Sequence, residues 1–317
     1  DIPYVTPNFE TNIPGIYIAG ELGGMGLIRK AAEQGRQAME SIARKRAKAD
    51  EIDVVIVGAG PAGLSATLSA MENKLRFATL EQEDSLGGTV YHYPRNKIVM
   101  TQPVTLPLAG KIKVGEIAKE SLLDLWQGIV DRFNIPIQFG ERMEKVIATG
   151  DGFIVKTQRS EFRTRSILLS IGRRGTPRKL GVPGEEHPKV LYRLIDPEQY
   201  LGCKVLVVGG GDSAIEAAVA IAEQPDAKVT LSYRSEAFSR IKAKNRDRLA
   251  EAEQSGELTV MLNSQVTRID AESATLQQGG EAFTLNNDYV IVCAGGVLPT
   301  PMLKEMGIQV ETKFGTE

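Results

Sequence analysis

Residues 52–63 read IDVVIVGAGPAG. A nearly unbroken run of apolar, mostly β-branched residues leads into a glycine turn and then into helix-forming residues. A strand apolar on both faces is the pattern of a buried parallel strand. The turn has the form Gly58-x-Gly60-x-x-Gly63. One glycine makes the tight turn, one lets a pyrophosphate approach the backbone, and one lets helix and strand pack closely. The next strand, Phe77–Leu80, ends at Glu81. This carboxylate stands about twenty residues past the turn, where it can accept hydrogen bonds from an adenosine ribose. The stretch predicts a strand–turn–helix–strand unit with a pyrophosphate on the free N–H groups at the helix N-terminus.

The pattern then restarts. Lys204–Val208 reads as a strand, Gly209-x-Gly211-x-x-Ala214 as the turn, Ser213–Ala222 as a helix and Lys228–Tyr233 as the next strand. This time the strand runs into Arg234, with Arg240, Lys242, Lys244 and Arg246 behind it. An acid there would repel a 2′-phosphate, whereas a guanidinium can bind one bidentately. The first cradle is therefore expected to take FAD and the second NADPH, with NADH the alternative if Arg234 is only a surface charge. Asp212 and Ser213 open the second helix. Capping and, for Ser213, pyrophosphate binding are both compatible with that position. The expected chemistry is hydride transfer from nicotinamide to flavin, with the protein supplying position and electrostatics.

Composition bounds the rest. The chain has 317 residues, 42% hydrophobic and 25% charged. That excludes disordered, collagen-like and disulfide-scaffold classes, and at roughly 150 residues per domain it predicts two domains. Lys plus Arg number 38 against 40 Asp plus Glu, a formal charge of −2, which argues against a nucleic-acid partner. No run approaches the roughly 18 apolar residues of a membrane span, and no secretory signal opens the chain. Cys203 and Cys293 form no CxxC pair, which suits a reducing compartment, the cytoplasm. With two histidines in the chain, no metal site is expected.

Elsewhere, Ile16–Ala19 is a short apolar run leading into Gly20-Glu21 and Gly23-Gly24-Met25-Gly26. Residues 27 to about 46 read as a helix, since Leu27, Ala31, Gln34, Ala38 and Ile42 share one face. Its basic tail, Arg44 to Arg46, reads as a solvated helix end. Residues 86–114 read as irregular, and Ala118–Phe133 as a helix carrying Trp126 in core or dimer packing. Further strands are expected near 153–157, 166–171, 258–262, 274–276 and 288–293. His92 suits a proton donor or a packed loop residue equally, so no catalytic residue is assigned. Both cysteines read as structural.

Val54–Ala66, Ile171-Gly172 with Val182–Glu185, Val205–Ala217, and Ala294–Gly296 with Pro299-Thr300 resemble successive motifs of the thioredoxin-reductase-like flavoproteins. The resemblance covers nearly the whole chain. It implies an FAD domain, an inserted NAD(P) domain and a homodimer. It is nearest to the members without the dithiol, the bacilliredoxin reductases and the thioredoxin-reductase-type ferredoxin/flavodoxin–NADP reductases. Tyr93-Pro94, Thr101, Leu106 and the helix from Lys119 are similar to the former, as is the stretch Glu10–Gly20. Two departures stand out. Ala62 occupies the place of a bacilliredoxin-reductase cysteine, and Tyr233-Arg234-Ser235 stands where the family often has His-Arg-Arg.

By this resemblance FAD is held by Gly58, Gly60, Pro61, Ala62, Gly63 and Glu81. Gly20 and Glu21, the latter where Asp is usual, bind its ribitol or pyrophosphate region. Leu27 and Ile28 aim backbone N–H groups at the flavin N1/C2=O end, and Gly88-Thr89 pass close to the isoalloxazine. NADP is held by Gly209, Gly211, Asp212, Ser213, Ala214 and Arg234. The Ile16–Glu21 motif and its helix normally end a family chain, and here they begin it. A circular permutant or a piece cut from a longer chain is therefore expected, with residues 1–46 docking on the Gly58 sheet.

The expected fold is α/β with two Rossmann-like domains. Residues 1–175 form the FAD domain (1–49 being the displaced segment), 176–295 the NAD(P) domain, and 296–317 return to the FAD domain. The expected function is FAD-dependent NAD(P)H oxidation, with electrons passed to a redox protein or small acceptor. The alternatives are an electron-transfer module of a larger protein and a non-catalytic FAD/NAD(P)-binding redox sensor.

Overall fold

The computed structural model describes residues 1–23, 27–93, 98–100, 102–113, 115–173, 175–194 and 196–311. Two compact units divide the chain: Asp1–Gly175 with Leu298–Glu317, and Thr176–Val297. Gly24, Met25, Gly26, Pro94, Thr101 and the last six residues of the expected C-terminal return lie outside the described residues, as does the side chain of His92.

In the first unit, seven strands make one sheet. They are β1 (Ile16–Ile18), β2 (Ile52–Val57), β3 (Phe77–Glu81), β4 (Ile137–Phe139), β5 (Met143–Ala148), β6 (Phe153–Thr157) and β7 (Glu161–Leu169). The order is β5-β6-β7-β2-β3-β4, with β1 beside the far end of β7. β7, β2, β3 and β4 run parallel, and β5 and β6 are antiparallel. β1 pairs parallel with β7, Ile16 opposite Ile167 and Ile18 opposite Leu169. The opening segment is thereby built into the sheet that carries Gly58.

The longer helices of this unit among the described residues are α1 (Ile28–Ala43), α2 (Pro61–Glu72) and α3 (Lys119–Arg132). α1 buries Ile28, Ala31, Ala32, Gly35, Ala38, Met39 and Ile42, a stripe at helical spacing. α2 is buried on more than one side. Ala62, Ala66 and Ala70 join Ala31, Ala38 and Met39 of α1, while Leu64 and Leu68 join Leu122 and Trp126 of α3. Trp126 is thus a core residue. The α1–α2 approach is close because Gly35 has no side chain: a Cβ there would lie 2.1 Å from the Ala62 carbonyl oxygen. α1 ends at Ala43, short of the expected 46. The Arg46 guanidinium instead donates to the Asn73 and Lys74 carbonyls just past α2, at 2.9 and 3.2 Å, satisfying a helix end that needs partners.

The described residues between 86 and 113 hold more regular structure than their sequence suggests. Gly88–His92 forms a short 3-10 turn. Ile98–Met100 pairs with Ile117–Ala118, and Val104–Leu106 with Gly110–Ile112. Strands of two or three residues are too short to show an alternation.

The second unit repeats the layout. β8 (Lys204–Val208), α4 (Asp212–Ala222), β9 (Lys228–Ser232), α5 (Ala243–Gln254) and β10 (Leu258–Met261) are followed by a three-stranded antiparallel sheet, β11 (Ser264–Ile269), β12 (Ser273–Gln278) and β13 (Glu281–Asn286), and then by β14 (Tyr289–Val292). Val190–Leu191, β14, β8, β9 and β10 form a five-stranded parallel sheet. The sequence shows α5 only as a basic run, because it buries just Asn245 and Leu249 and carries almost no apolar stripe. The chain returns to the first unit at α6 (Thr300–Glu305), where Leu303 and Ile308 pack with Ile16, Ile18 and Val55.

Candidate nucleotide-binding sites

The first turn is shaped by what cannot fit in it. Gly58 has φ +104°, and a Cβ there would lie 2.5 Å from the Ser170 carbonyl oxygen. A Cβ on Gly63 would lie 1.7 Å from the Gly58 oxygen. Gly60 differs: its nearest neighbours, Gly87 and Gly88, are 3.9 Å from a Cβ position, so its backbone faces open space. Pro61 begins α2, where its missing N–H costs nothing and its φ suits the helix. Ser170 fixes the turn from the neighbouring strand, its hydroxyl donating to the Val57 and Gly58 carbonyls at 2.9 and 3.1 Å.

Glu81 is 5% exposed. Its carboxylate accepts the Ala59 N–H at 2.8 Å and the Glu83 N–H at 3.0 Å. Burial pushes its pKa up, and those backbone donors pull it partly back.

Three further segments converge on this turn. A Cβ on Gly88 would be 3.2 Å from the Gly60 Cα. Gly20 sits against Ala62, with Cβ positions 3.0 Å apart, and its N–H donates to the Gln34 side-chain oxygen at 2.9 Å. A Cβ on Gly172 would meet Thr89 Oγ1 at 3.8 Å and Glu21 Oε2 at 3.9 Å. Glu21 and Thr89, 68 residues apart in sequence, are thus both brought beside Gly172. Leu27 is the exposed residue preceding α1, and Ile28, its first residue, packs with Ala59, Leu64 and Val90. Gln34 and Ser170 are positions that sequence reasoning missed, since each acts across the fold rather than within a motif.

These features fit a dinucleotide. Gly60 leaves a cradle that a side chain would fill. The first N–H groups of α2 have no intrahelical acceptor. A carboxylate offers about four acceptor sites, so Glu81 keeps capacity beyond its backbone donors.

The second turn is built differently. Gly209 has φ +150°, and a Cβ there would lie 2.3 Å from the Cys293 carbonyl oxygen. Gly210 is pressed by Tyr233, whose ring carbons lie 2.1–2.4 Å from a Cβ position. Gly211 has no neighbour within 4 Å of a Cβ position, and Ala214 is fully buried. Ser213 and Arg234 are exposed, and among the described residues Arg234 has no ion-pair partner. Asp212 does not cap its own helix, whose N-cap is Gly211. Its carboxylate accepts the Lys242 N–H at 3.0 Å and the Asn245 amide at 2.7 Å, tying α4 to the start of α5. Those donors hold its pKa below the ordinary aspartate value.

Both cysteines are free. Cys293 follows β14, and burial pushes its thiol up to about 12; burial raises Cys203 as well. Neither is a ready thiolate at neutral pH. Among the described residues no cluster of His, Cys, Asp or Glu could hold a metal ion, and no helix is long and apolar enough to cross a membrane.

Comparison with known proteins fits this geometry. Residues 55–315 match the family described as pyridine nucleotide-disulphide oxidoreductase. The chain belongs to that family. It is an FAD-dependent oxidoreductase of pyridine nucleotides, with a thioredoxin-reductase-like fold. A ferredoxin–NADP reductase of Ignicoccus hospitalis is 31% identical over 270 residues, 82% of this chain and 83% of the relative. Bacilliredoxin reductase Bdr of Bacillus subtilis is 24% identical over 273 residues, 82% of each chain. Among solved structures, bacillithiol disulfide reductase Bdr from Bacillus cereus superposes with TM-score 0.58 at 25% identity, covering 81% of this chain and 82% of that one. The 317 residues of this chain contain no CxxC.

Proposed function

We propose that this chain is an NADPH-oxidising reductase of a small redox protein. The first unit holds FAD and the second holds NADPH. The observation that carries the assignment is the opposite chemistry of the two cradles: a buried carboxylate, Glu81, beside the first, and an exposed guanidinium, Arg234, beside the second. FAD, when bound, supplies the ability to take a hydride from NADPH and give electrons up again.

The chain's own residues do the holding. Gly58, Gly60, Pro61, Ala62 and Gly63 shape the pyrophosphate cradle, and Glu81 accepts from the adenosine ribose. Gly20 and Glu21 meet Gly88 and Thr89 along the ribitol, and the start of α1 at Leu27 and Ile28 turns N–H groups to the flavin. A helix N-terminus near developing negative charge contributes roughly 0.3–1 kcal/mol. Gly209, Gly211, Ser213 and Ala214 seat the second pyrophosphate, with Arg234 at the 2′-phosphate. Asp212 belongs to this site by holding α5 in place.

A ferredoxin-like acceptor is favoured over a disulfide. Ala62 leaves the first turn without a thiol, and burial raises the pKa of both cysteines. We place the enzyme in the cytoplasm as a homodimer, which light scattering tests. Stopped-flow absorbance after anaerobic NADPH addition tests the function. The FAD-loaded protein should bleach, and a protein that stays yellow overturns the proposal.

A further inference from the structure

In the pattern Gly-x-Gly, the middle position is open to any residue, because the phosphate needs only its neighbours to be small. Here it is Gly210, and the structure shows a different claim on that space: the ring of Tyr233 lies where its Cβ would be. Tyr233 in turn stacks on Phe238, with ring centroids 5.3 Å apart and planes 8° from parallel. The turn between them is pinned along its length. The Tyr233 N–H donates to the Met261 carbonyl at 3.0 Å, the Ser264 N–H donates to the Tyr233 carbonyl at 3.1 Å, and the Asn263 N–H donates to the Ser235 carbonyl at 3.1 Å. Arg246 donates to the Phe238 carbonyl at 2.9 Å, so this member of the basic run is a tether. Phe238 is buried, while Arg234 and Arg240 stay exposed on the turn it anchors.

We infer that Gly210, Tyr233 and Phe238 form a positioning device for 2′-phosphate recognition. The stacked pair sets the 234–240 turn before ligand arrives, so the guanidinium of Arg234 is presented without an ordering cost on binding. Gly210 is glycine to seat that pair. The inference rests on the NADPH reading of the second turn.

Isothermal titration of the full chain with adenosine 2′,5′-bisphosphate and with AMP, which differ only in the 2′-phosphate, tests it. The unaltered chain should prefer the bisphosphate. Phe238→Ala should weaken bisphosphate binding about tenfold and change AMP binding by less than about twofold. Tyr233→Phe keeps the stacked ring and should bind as the unaltered chain does. A Phe238→Ala protein that keeps the full preference, or loses both ligands equally, overturns the positioning role. An unaltered chain that binds both ligands alike instead removes the NADPH reading, and the inference with it. If Phe238→Ala does not fold, Tyr233→Leu measured against Tyr233→Phe gives the same comparison.

Discussion

The two glycine turns share a pattern and differ in what crowds them. In the first, Gly58 and Gly63 are closed in by backbone oxygens of the turn and its neighbouring strand, and the carboxylate bonded to the Ala59 N–H is buried. In the second, Gly209 is closed in by the Cys293 oxygen in the same way and Gly211 is as open as Gly60, but Ala214 already replaces the last glycine, and Arg234, past the end of the next strand, is exposed. The first turn is committed to one rigid shape around an enclosed group. In the second, by the reading proposed above, selectivity rests on an exposed side chain, Arg234. The two turns thus share a closed first glycine and an open second one, and differ at the last position and in the charge that follows the next strand.

A methyl at Gly63, the last position of the first turn, and one at Gly211, the second glycine of the second turn, should separate the two most strongly. Gly63→Ala puts a methyl 1.7 Å from the Gly58 oxygen. Overpacking costs typically 1–3 kcal/mol, and because backbone is the obstacle here we expect about 3 kcal/mol or more, with loss of FAD. Gly211→Ala meets nothing, so stability should change by less than about 1 kcal/mol while bisphosphate binding weakens. Urea unfolding and the FAD-to-protein ratio check both. Equal destabilisation by the two changes would break the comparison.

Next in size is Glu81→Gln. The amide presents an N–H₂ toward the Ala59 or Glu83 N–H, so one buried donor loses its acceptor. A buried group left unsatisfied costs about 1–3 kcal/mol. FAD retention should fall with it, and adenosine 2′,5′-bisphosphate binding at the other cradle should not. Loss of both would show that the cradles are not independent.

How far the sequence carried this contrast differs between the turns. IDVVIVGAGPAG and Glu81 are legible because motif, strand and acid lie within one short stretch and each has a local reason. The packing around them is not. Gly35 looks like a helix-weakening glycine until the Ala62 carbonyl is seen where its Cβ would be. Gln34 reads as one residue of a helical stripe, yet it holds the Gly20 N–H across the fold. At the second turn Arg234 is legible, whereas Tyr233 is not: nothing local says that its ring fills the space above Gly210. Asp212 looks like a cap and serves as a tie to α5, a helix hidden by its lack of apolar residues.

Arg234→Ala should have a smaller and more selective effect. The residue is exposed and, among the described residues, unpaired, so stability should move by less than about 0.5 kcal/mol. A hydrogen bond to a charged group is worth about 1.5–3 kcal/mol, so the preference for NADPH over NADH should drop about tenfold or more, read from kcat/KM ratios. FAD content should not change. An unaltered ratio would leave the second rim without its selective charge.

The smallest effect is a difference in sign with pH. Burial raises Glu81 above the ordinary 4.5, so between that value and its folded value the folded chain holds the proton better than the unfolded chain. Stability of the FAD-free first unit should therefore fall as pH rises from 4.5 through that window, then level off. Asp212 is shifted the other way, below the ordinary 3.8, by the Lys242 N–H and the Asn245 amide. Its contribution is present above 3.8 and is lost as pH falls through its folded value. Amide hydrogen exchange, corrected for intrinsic rate, should show buried β2 amides such as Val55, which exchange by unfolding of the unit, less protected as pH rises and the Lys242 N–H less protected as pH falls. Glu81→Gln should flatten the first trend and leave the second. FAD should also flatten the first, because ribose hydroxyls donating to the carboxylate favour its ionised form and pull its pKa back down. If both amides follow one slope, the two carboxylates sit in like environments and the contrast between the turns reduces to Arg234 alone.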